Sequence, residues 1–451
     1  MTEPAAQQMP TQSPWRAAAA LARDGEALPD WPAERRADAL ARLDKTGLPD
    51  TSDEEWRYTS LTAYGQRWSA YLAATGQPAG RAGQAVVHGQ PAAVAHPGTV
   101  TVRVIDGVLG TQAGVGPPGL FIGSLRHLPP ALRVRVGDLL RQSEAVAPEI
   151  LVDLNSALVR DVLLIATDAG TVREPVHVEV QLTGSGSPAF SQPRVLVDVA
   201  PGSRLTLSIE HSGMDGALAN SVMQAWVGRD GHLDLIRAQC LPDDGMLTDT
   251  SRIELGEGAS ARITSVDLGG LLSRQSMTVV LAGTGASATV DGLFLANGTR
   301  HIDNRTRLEH RAPATTSRES FRGLADGHGR GVFNGKIIVL PGAAGSNAAL
   351  TNRNLLLAAT AEIDTKPELE IHVDDVRCSH GATTGQLDAN SLFYLRSRGL
   401  DPAAARQVLT GAFLREALGG IAVTGLRARL EARLQEKLGG SPAVAIPGIG
   451  P

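Results

Sequence analysis

Between Asp161 and Leu387 short apolar runs alternate with glycine turns, and the turns recur at a nearly constant interval. Gly170, Gly202, Gly231, Gly258 and Gly285 each sit at or beside a turn, 32, 29, 27 and 27 residues apart. Three of them open near-copies: Gly202-Ser203-Arg204-Leu205, Gly258-Ala259-Ser260-Ala261 and Gly285-Ala286-Ser287-Ala288. Pro341-Gly342-Ala343-Ala344 looks like a later member, with Pro313 between. The runs Val162 to Ile165, Val176 to Val180, Val195 to Val199 and Leu205 to Ile209 read as strands, with no helical segment inside a unit. Such a unit cannot bury its own apolar face, whereas stacked copies can, so the pattern predicts a β-solenoid. A β-sandwich is the competing fold, but its spacing should be less regular and its turns less alike.

The flanks read as helical. Ser13-Pro14 is an N-cap with proline in the first turn, ahead of the alanine-rich run from Trp15 to Ala22. A second helix is expected from about Pro32 to Leu43, and Ser52-Asp53-Glu54-Glu55 has capping-box spacing before Trp56. Residues 74 to 98, rich in Gly, Ala, Gln and Pro, read as a linker. After Leu387, Asp388 to Asn390 can cap a helix through Leu395, and Asp401-Pro402 opens another to about Leu418. The last helix carries Leu426, Leu430, Leu434 and Leu438 at i+4 spacing, a stripe that either docks on the core or faces a partner. The expected organisation is therefore a helical region with linker over 1–160, a mainly β core over 161–387, a helical domain over 388–440 and a disordered tail over 441–451.

Several function classes are disfavoured. The net charge of −5 gives no electrostatic footprint for nucleic acid, and aromatics at 4% offer few stacking platforms. Two cysteines cannot build a disulfide framework. The first residues have neither the basic nor the apolar stretch of a signal peptide, and no run of 18 apolar residues occurs, so a soluble cytoplasmic protein is expected. The sequons at Asn297 and Asn304 carry little weight in that setting. Gly331-Val332-Phe333-Asn334-Gly335-Lys336-Ile337 echoes a phosphate-binding loop, but it is one residue short and has Ile337 where Ser or Thr is required.

Chemistry concentrates at Asp374-Asp375-Val376-Arg377-Cys378-Ser379-His380-Gly381. Residues i and i+2 of a strand share a face, so Cys378 and His380 can present a soft sulfur and an imidazole side by side. Arg377 and His380 are expected to favour the Cys378 thiolate. His372 and Asp374 have the same parity and are weighed as extensions, although Asp374-Asp375 reads more simply as a solvated turn. Cys240 closes the strand from Leu233 and reads as a buried small hydrophobe. Two cysteines cannot hold a four-cysteine iron–sulfur cluster, so any cluster here is shared across an interface or uses other ligands.

Between Arg311 and Leu418 the motifs are dense: Ser317-Arg318, Phe321-Arg322-Gly323, Phe333 to Ile337, Thr351 to Leu357, Lys366 to Ile371, Asp374 to Thr383, and Phe393-Tyr394-Leu395-Arg396-Ser397-Arg398-Gly399. With Glu54-Glu55-Trp56-Arg57-Tyr58-Thr59 near the other end, they resemble the SufB/SufD family of the SUF iron–sulfur cluster assembly scaffold, on its SufD side. The sister subunit SufB has a cysteine near the position of Asn352 and His-Glu where this chain has His380-Gly381, and both departures favour SufD. Leu350, where the family more often has a polar residue, leaves the functional reading unchanged. The resemblance implies a right-handed parallel β-helix flanked by N- and C-terminal helical domains. It also implies a heterodimer with SufB and binding of the ABC-type ATPase SufC through the C-terminal helices.

On that resemblance the chain is a non-catalytic scaffold, with ATP used only by SufC. Cys378 and His380 are the metal-site residues lent to a transient, shared iron–sulfur cluster, and the principal sulfur-accepting cysteine lies on SufB. A flavin on the complex as electron source stays open. Two other readings remain: a β-helix enzyme on polysaccharide, with Asp374 and Asp375 as acid and base, and an adaptor for SufC with no cluster role.

Overall fold

The computed structural model describes Trp15, Arg16, Ala18 and Ala19 and residues 31–75, 98–110, 116–143, 149–168, 170–183 and 190–439. The proposed cap at Ser13-Pro14, nearly all of the 74–98 linker and the tail over 441–451 lie outside them. Two ten-stranded sheets face each other. Most neighbouring strands are parallel, and successive strands alternate between the sheets, which is the winding of a parallel β-solenoid. In the front sheet Arg204, His232, Ser260, Ser287, Thr316, Asn347 and Arg377 stand side by side on seven consecutive strands. That sheet ends on Val376–Gly385, and the back sheet ends on Glu362–Ile371.

The glycine turns mark the winding, with a shift of phase. Gly202, Asp230, Gly258, Gly285, Ala314 and Gly345 all adopt the left-handed conformation, with φ between 55° and 73°. Each donates its N–H to a carbonyl in the turn of the next coil, in order those of Arg229, Glu257, Thr284, Pro313, Ala344 and Asp375, at 2.7–3.1 Å. The repeat read at Gly231 is thus carried by Asp230, and the later member at Pro341-Gly342 is carried three residues on by Gly345. Two coils dispense with glycine here: Asp230 tolerates this region better than most side chains, and Ala314 also adopts it.

Strands also occur where the first 160 residues read as helix and linker. Val100–Ile105 lies parallel to Val176–Leu182, and Leu120–Ser124 lies antiparallel to Leu163–Thr167, so both sheets begin before Asp161. The expected helix near Pro32 runs Ala33–Thr46, and Asp53 rather than Ser52 caps the short turn Glu54–Trp56, accepting from the Glu55 N–H.

Inside the solenoid the apolar column is interrupted by three rings, Phe294, Phe321 and Phe333, each at most 2% exposed. Glycines make room for them. A Cβ at Gly292 would overlap the Phe321 ring, one at Gly323 would overlap Phe294, and one at Gly331 would lie 2.5 Å from Phe294. The phosphate-loop echo is therefore a packing motif in the strand Arg330–Val339: its glycines face rings and Leu350.

A polar layer also crosses this lumen. The Thr306 hydroxyl donates to Glu319 Oε1 at 2.5 Å, and among the described residues Glu319 has no cationic partner within the ion-pair distance. Burial pushes its carboxyl up to about 8, with the Thr306 hydrogen bond pulling the other way. The folded protein then holds a proton that the unfolded chain gives up near its ordinary value of 4.5. Stability contributed here is complete below that value and is lost as pH rises toward 8. Glu319→Gln is expected to raise stability at pH 8 by at least about 1 kcal/mol and to leave it nearly unchanged at pH 4. Thermal melts of both proteins across that range check the sign; a larger gain at pH 4 than at pH 8 contradicts it.

The C-terminal leucine stripe docks on the solenoid. Leu426, Leu430 and Leu434 of Thr424–Lys437 are at most 2% exposed and pack with Ile236, Ala238, Val266 and Leu268. The cations between them hold the rim: Arg429 meets Glu210, Arg433 donates to the Cys240 carbonyl at 3.1 Å, and Lys437 reaches Asp243 at 2.5 Å. No helix among the described residues is long and apolar enough to cross a membrane.

Candidate functional site

The strand Val376–Gly385 is the last of the front sheet and pairs on one side only, with Ser346–Leu356. Its other edge leaves backbone N–H and C=O groups open to addition. A tight turn leads into it: Gly345 donates to the Asp375 carbonyl at 2.7 Å, and the Val376 N–H to that of Asp374 at 3.0 Å. Register places Cys378 beside Ala348 and His380 beside Leu350, both 1% exposed. Cys378 and His380 therefore continue the inward-facing column of the solenoid, roughly 6.6 Å apart along the strand. Because no coil follows, that column is uncovered: Cys378 is half-buried against the core and His380 is exposed.

The structure brings this predicted pair onto one face and separates the rest. His372 and Asp374 do not extend it, since the preceding strand ends at Ile371 and both residues belong to the turn. His372 Nε2 lies 2.9 Å from Glu370 Oε1 instead. Asp374 and Asp375 are exposed turn residues, as the solvated-turn reading has it. The expected thiolate is not favoured. Burial pushes the Cys378 thiol up, against a backbone hydrogen bond at Ala348 that lowers it, and Arg377 points to the opposite face. A metal or an incoming cation would favour the Cys378 thiolate. Cys240 is buried, with its thiol pushed up to about 12 mainly by burial, and sits under the C-terminal helix as a packing residue.

Behind the pair lies a polar plug that sequence reasoning missed. Asn352 Oδ1 accepts from Asn354 Nδ2 at 2.6 Å and from the Thr365 hydroxyl at 2.9 Å, and Asn354 also reaches the Thr384 hydroxyl at 3.4 Å. Asn352 is 1% exposed and acts as a strut between the last coils. The available signal was the alternation in Thr351-Asn352-Arg353-Asn354, which puts two amides on a face that is otherwise apolar. A Cβ at Gly381 would meet nothing within 4 Å, so this position faces open solvent. Among the described residues no three His, Cys, Asp or Glu side chains gather to hold a metal.

The family signature near the N-terminus is an anchor on the back sheet. Arg274 stacks 3.5 Å from the centre of the Trp56 ring and donates to the Glu55 carbonyl at 3.0 Å. Arg305 pairs with Glu55 at 2.8 Å, Lys366 with Glu54 at 2.9 Å, and the Thr59 hydroxyl donates to Asp303 at 2.6 Å.

A family model described as SUF system FeS cluster assembly, SufBD core domain, matches residues 181–413. The iron–sulfur cluster assembly protein SufD of Escherichia coli is 29% identical over 406 residues, covering 89% of this chain and 92% of that one. A SufBD family protein of Synechocystis is 28% identical over 410 residues, 88% and 89% of the two chains. Another, from Mycobacterium bovis, is 30% identical over 332 residues, 71% of this chain and 80% of the relative.

Proposed function

The chain belongs to the SufBD family of the SUF iron–sulfur cluster assembly system, and from that premise we propose that it is the SufD-type scaffold of an ATP-dependent assembly complex. It pairs with SufB across the open end of the solenoid and lends Cys378 and His380 to a nascent cluster, which is cargo. SufC hydrolyses ATP and is carried by the C-terminal helices. The observation that carries this reading is the uncovered last coil, where one thiol and one imidazole continue the inward-facing column and lie open beside an unpaired strand edge. Two donors leave a cluster's remaining ligands to another molecule, and the strand edge is where that molecule can add.

With its leucine stripe spent on the solenoid, the C-terminal domain offers SufC a different element. The helix Ala389–Ser397 has no buried residue, and its Phe393 and Tyr394 are 73% and 57% exposed. A polysaccharide-acting enzyme would need paired carboxylates in a cleft, and Asp374 and Asp375 sit on a turn instead.

Anaerobic co-purification with SufB and SufC tests the reading. The wild-type complex is expected to carry iron and acid-labile sulfide, and complexes with His380→Ala or Cys378→Ser to lose most of both while still assembling. Equal cluster content in all three would reduce the chain to an architectural adaptor.

A further inference from the structure

The two outer faces of the solenoid treat their cations differently. On the back sheet Arg305, Arg307, Arg330, Lys336 and Lys366 each have a carboxylate within 2.5–2.9 Å. On the front sheet Arg204, Arg262, Arg318, Arg353 and Arg377 are exposed, and among the described residues their side chains make no hydrogen bond or ion pair. The C-terminal helices cover only the downstream ends of these strands, at Leu293, Leu295, Leu324 and Leu355. The upstream part is floored by short side chains, among them Ser287, Thr289, Ser320, Thr351 and Ser379.

Register fixes the layout. Arg262 and Arg318 share a row, separated by Thr289, and lie about 10 Å apart; the row from Arg204 to Arg377 spans about 29 Å. The carboxylates on this face, Asp234 and Asp291, are half-buried. Burial pushes both upward, with Arg262 and Arg318 pulling back. Five exposed guanidiniums against two half-buried carboxylates leave this face net positive, which suits a flat anionic partner. Carboxylates inside the patch and the lack of aromatic rings on it suit an acidic protein better than a nucleic acid.

One corner of the patch identifies the protein. Arg353 and its neighbour in register, Thr383, lead through residues 386–388 directly into the helix that exposes Phe393 and Tyr394. Aromatic anchors beside a charged field are the two halves of one interface: burial supplies affinity at the rings, and charge supplies steering and register around them. We propose that the arginine face of the front sheet is the charged half of the ATPase dock and receives an acidic surface of that ATPase. This rests on the reading above that the ATPase binds the C-terminal helices. SufB, by contrast, adds at the open edge.

The test uses the full chain and the purified ATPase, with affinity measured by biolayer interferometry at low and high salt. Arg262→Glu, Arg318→Glu and Arg353→Glu together are expected to weaken binding at least about tenfold at low salt and to flatten its salt dependence. Lysine at the same three positions is expected to stay within about threefold, since point charge is retained. Arg262 and Arg318 lie near Asp234 and Asp291, so the melting temperature of each variant is measured to verify the fold. Wild-type affinity in the charge-reversed variant overturns the proposal while leaving the ATPase reading intact. Absence of binding by the wild type overturns both. Should charge reversal abolish binding of a short DNA duplex but leave ATPase affinity unchanged, the face reads phosphate and the proposal is again overturned.

Discussion

Asp303→Ala is expected to destabilise the protein by about 3–5 kcal/mol, among the largest effects available to a single substitution in this chain. Asp303 is fully buried and accepts from Thr59 at 2.6 Å, from Arg274 at 2.6 Å and from Arg305 at 3.3 Å. Burial opposes its ionisation, but Arg274, Arg305 and the Thr59 hydroxyl outweigh it and hold the carboxyl below its ordinary value of 3.8. Its contribution is therefore present above that value and is lost only as pH falls below it. Removing the carboxylate takes an acceptor from two buried guanidiniums, leaving them only their contacts with Glu55 and Trp56, and frees the Thr59 end of the N-terminal anchor. Asp303→Asn keeps the acceptor and should cost less. Urea unfolding at neutral pH checks the order, and a loss under about 1 kcal/mol for the alanine variant would mean that Arg274 is satisfied elsewhere.

The second large effect is a coupled pair inside the lumen. Phe321→Ala is expected to cost about 3–5 kcal/mol, because its ring packs 4.8 Å from that of Phe333 in a closed core. Gly292→Ala is expected to cost about 1–3 kcal/mol by pushing a methyl into that same ring. The two are not independent, since truncating Phe321 empties the space that the new methyl needs. The double variant is therefore expected to be more stable than the summed losses predict, by roughly 0.5–3 kcal/mol. A double-mutant cycle in urea reads this directly. Strict additivity would show that the methyl at Gly292 strikes backbone rather than ring.

What could be read without the structure follows the range of the forces involved. The solenoid was legible because its signal is local and repeated: apolar alternation and a residue able to adopt a left-handed turn once per coil. The phase slipped at Gly231 because aspartate also enters that region, so Asp230 carried the turn unseen. Cys378 and His380 were legible as a pair because strand parity alone sets their common face. The state of the Cys378 thiol was not, because it depends on burial, and burial is decided by which residues stack behind it, Ala348 and its coil. The anchor of Glu54 to Thr59 was visible as a motif but not as an anchor, since Arg274 and Arg305 lie 219 and 250 residues from the Glu55 they hold. Val100–Ile105 was missed for a similar reason: its place in the sheet is set by Val176–Leu182, not by its own neighbours.

The one-sided pairing of Val376–Gly385 also sets the sequence in which the molecule comes apart. In a stack where each coil touches only its neighbours, inner coils are clamped from both directions and the outermost from one. Local opening should therefore start at the coil that carries Cys378 and work inward, while the far end is held by Leu120–Ser124 and the helices packed beside it. Docking a second subunit would convert that terminal coil into an interior one. The proposed cluster residues Cys378 and His380 would then be the last to become rigid, and they would do so only once the other half of the proposed site had arrived.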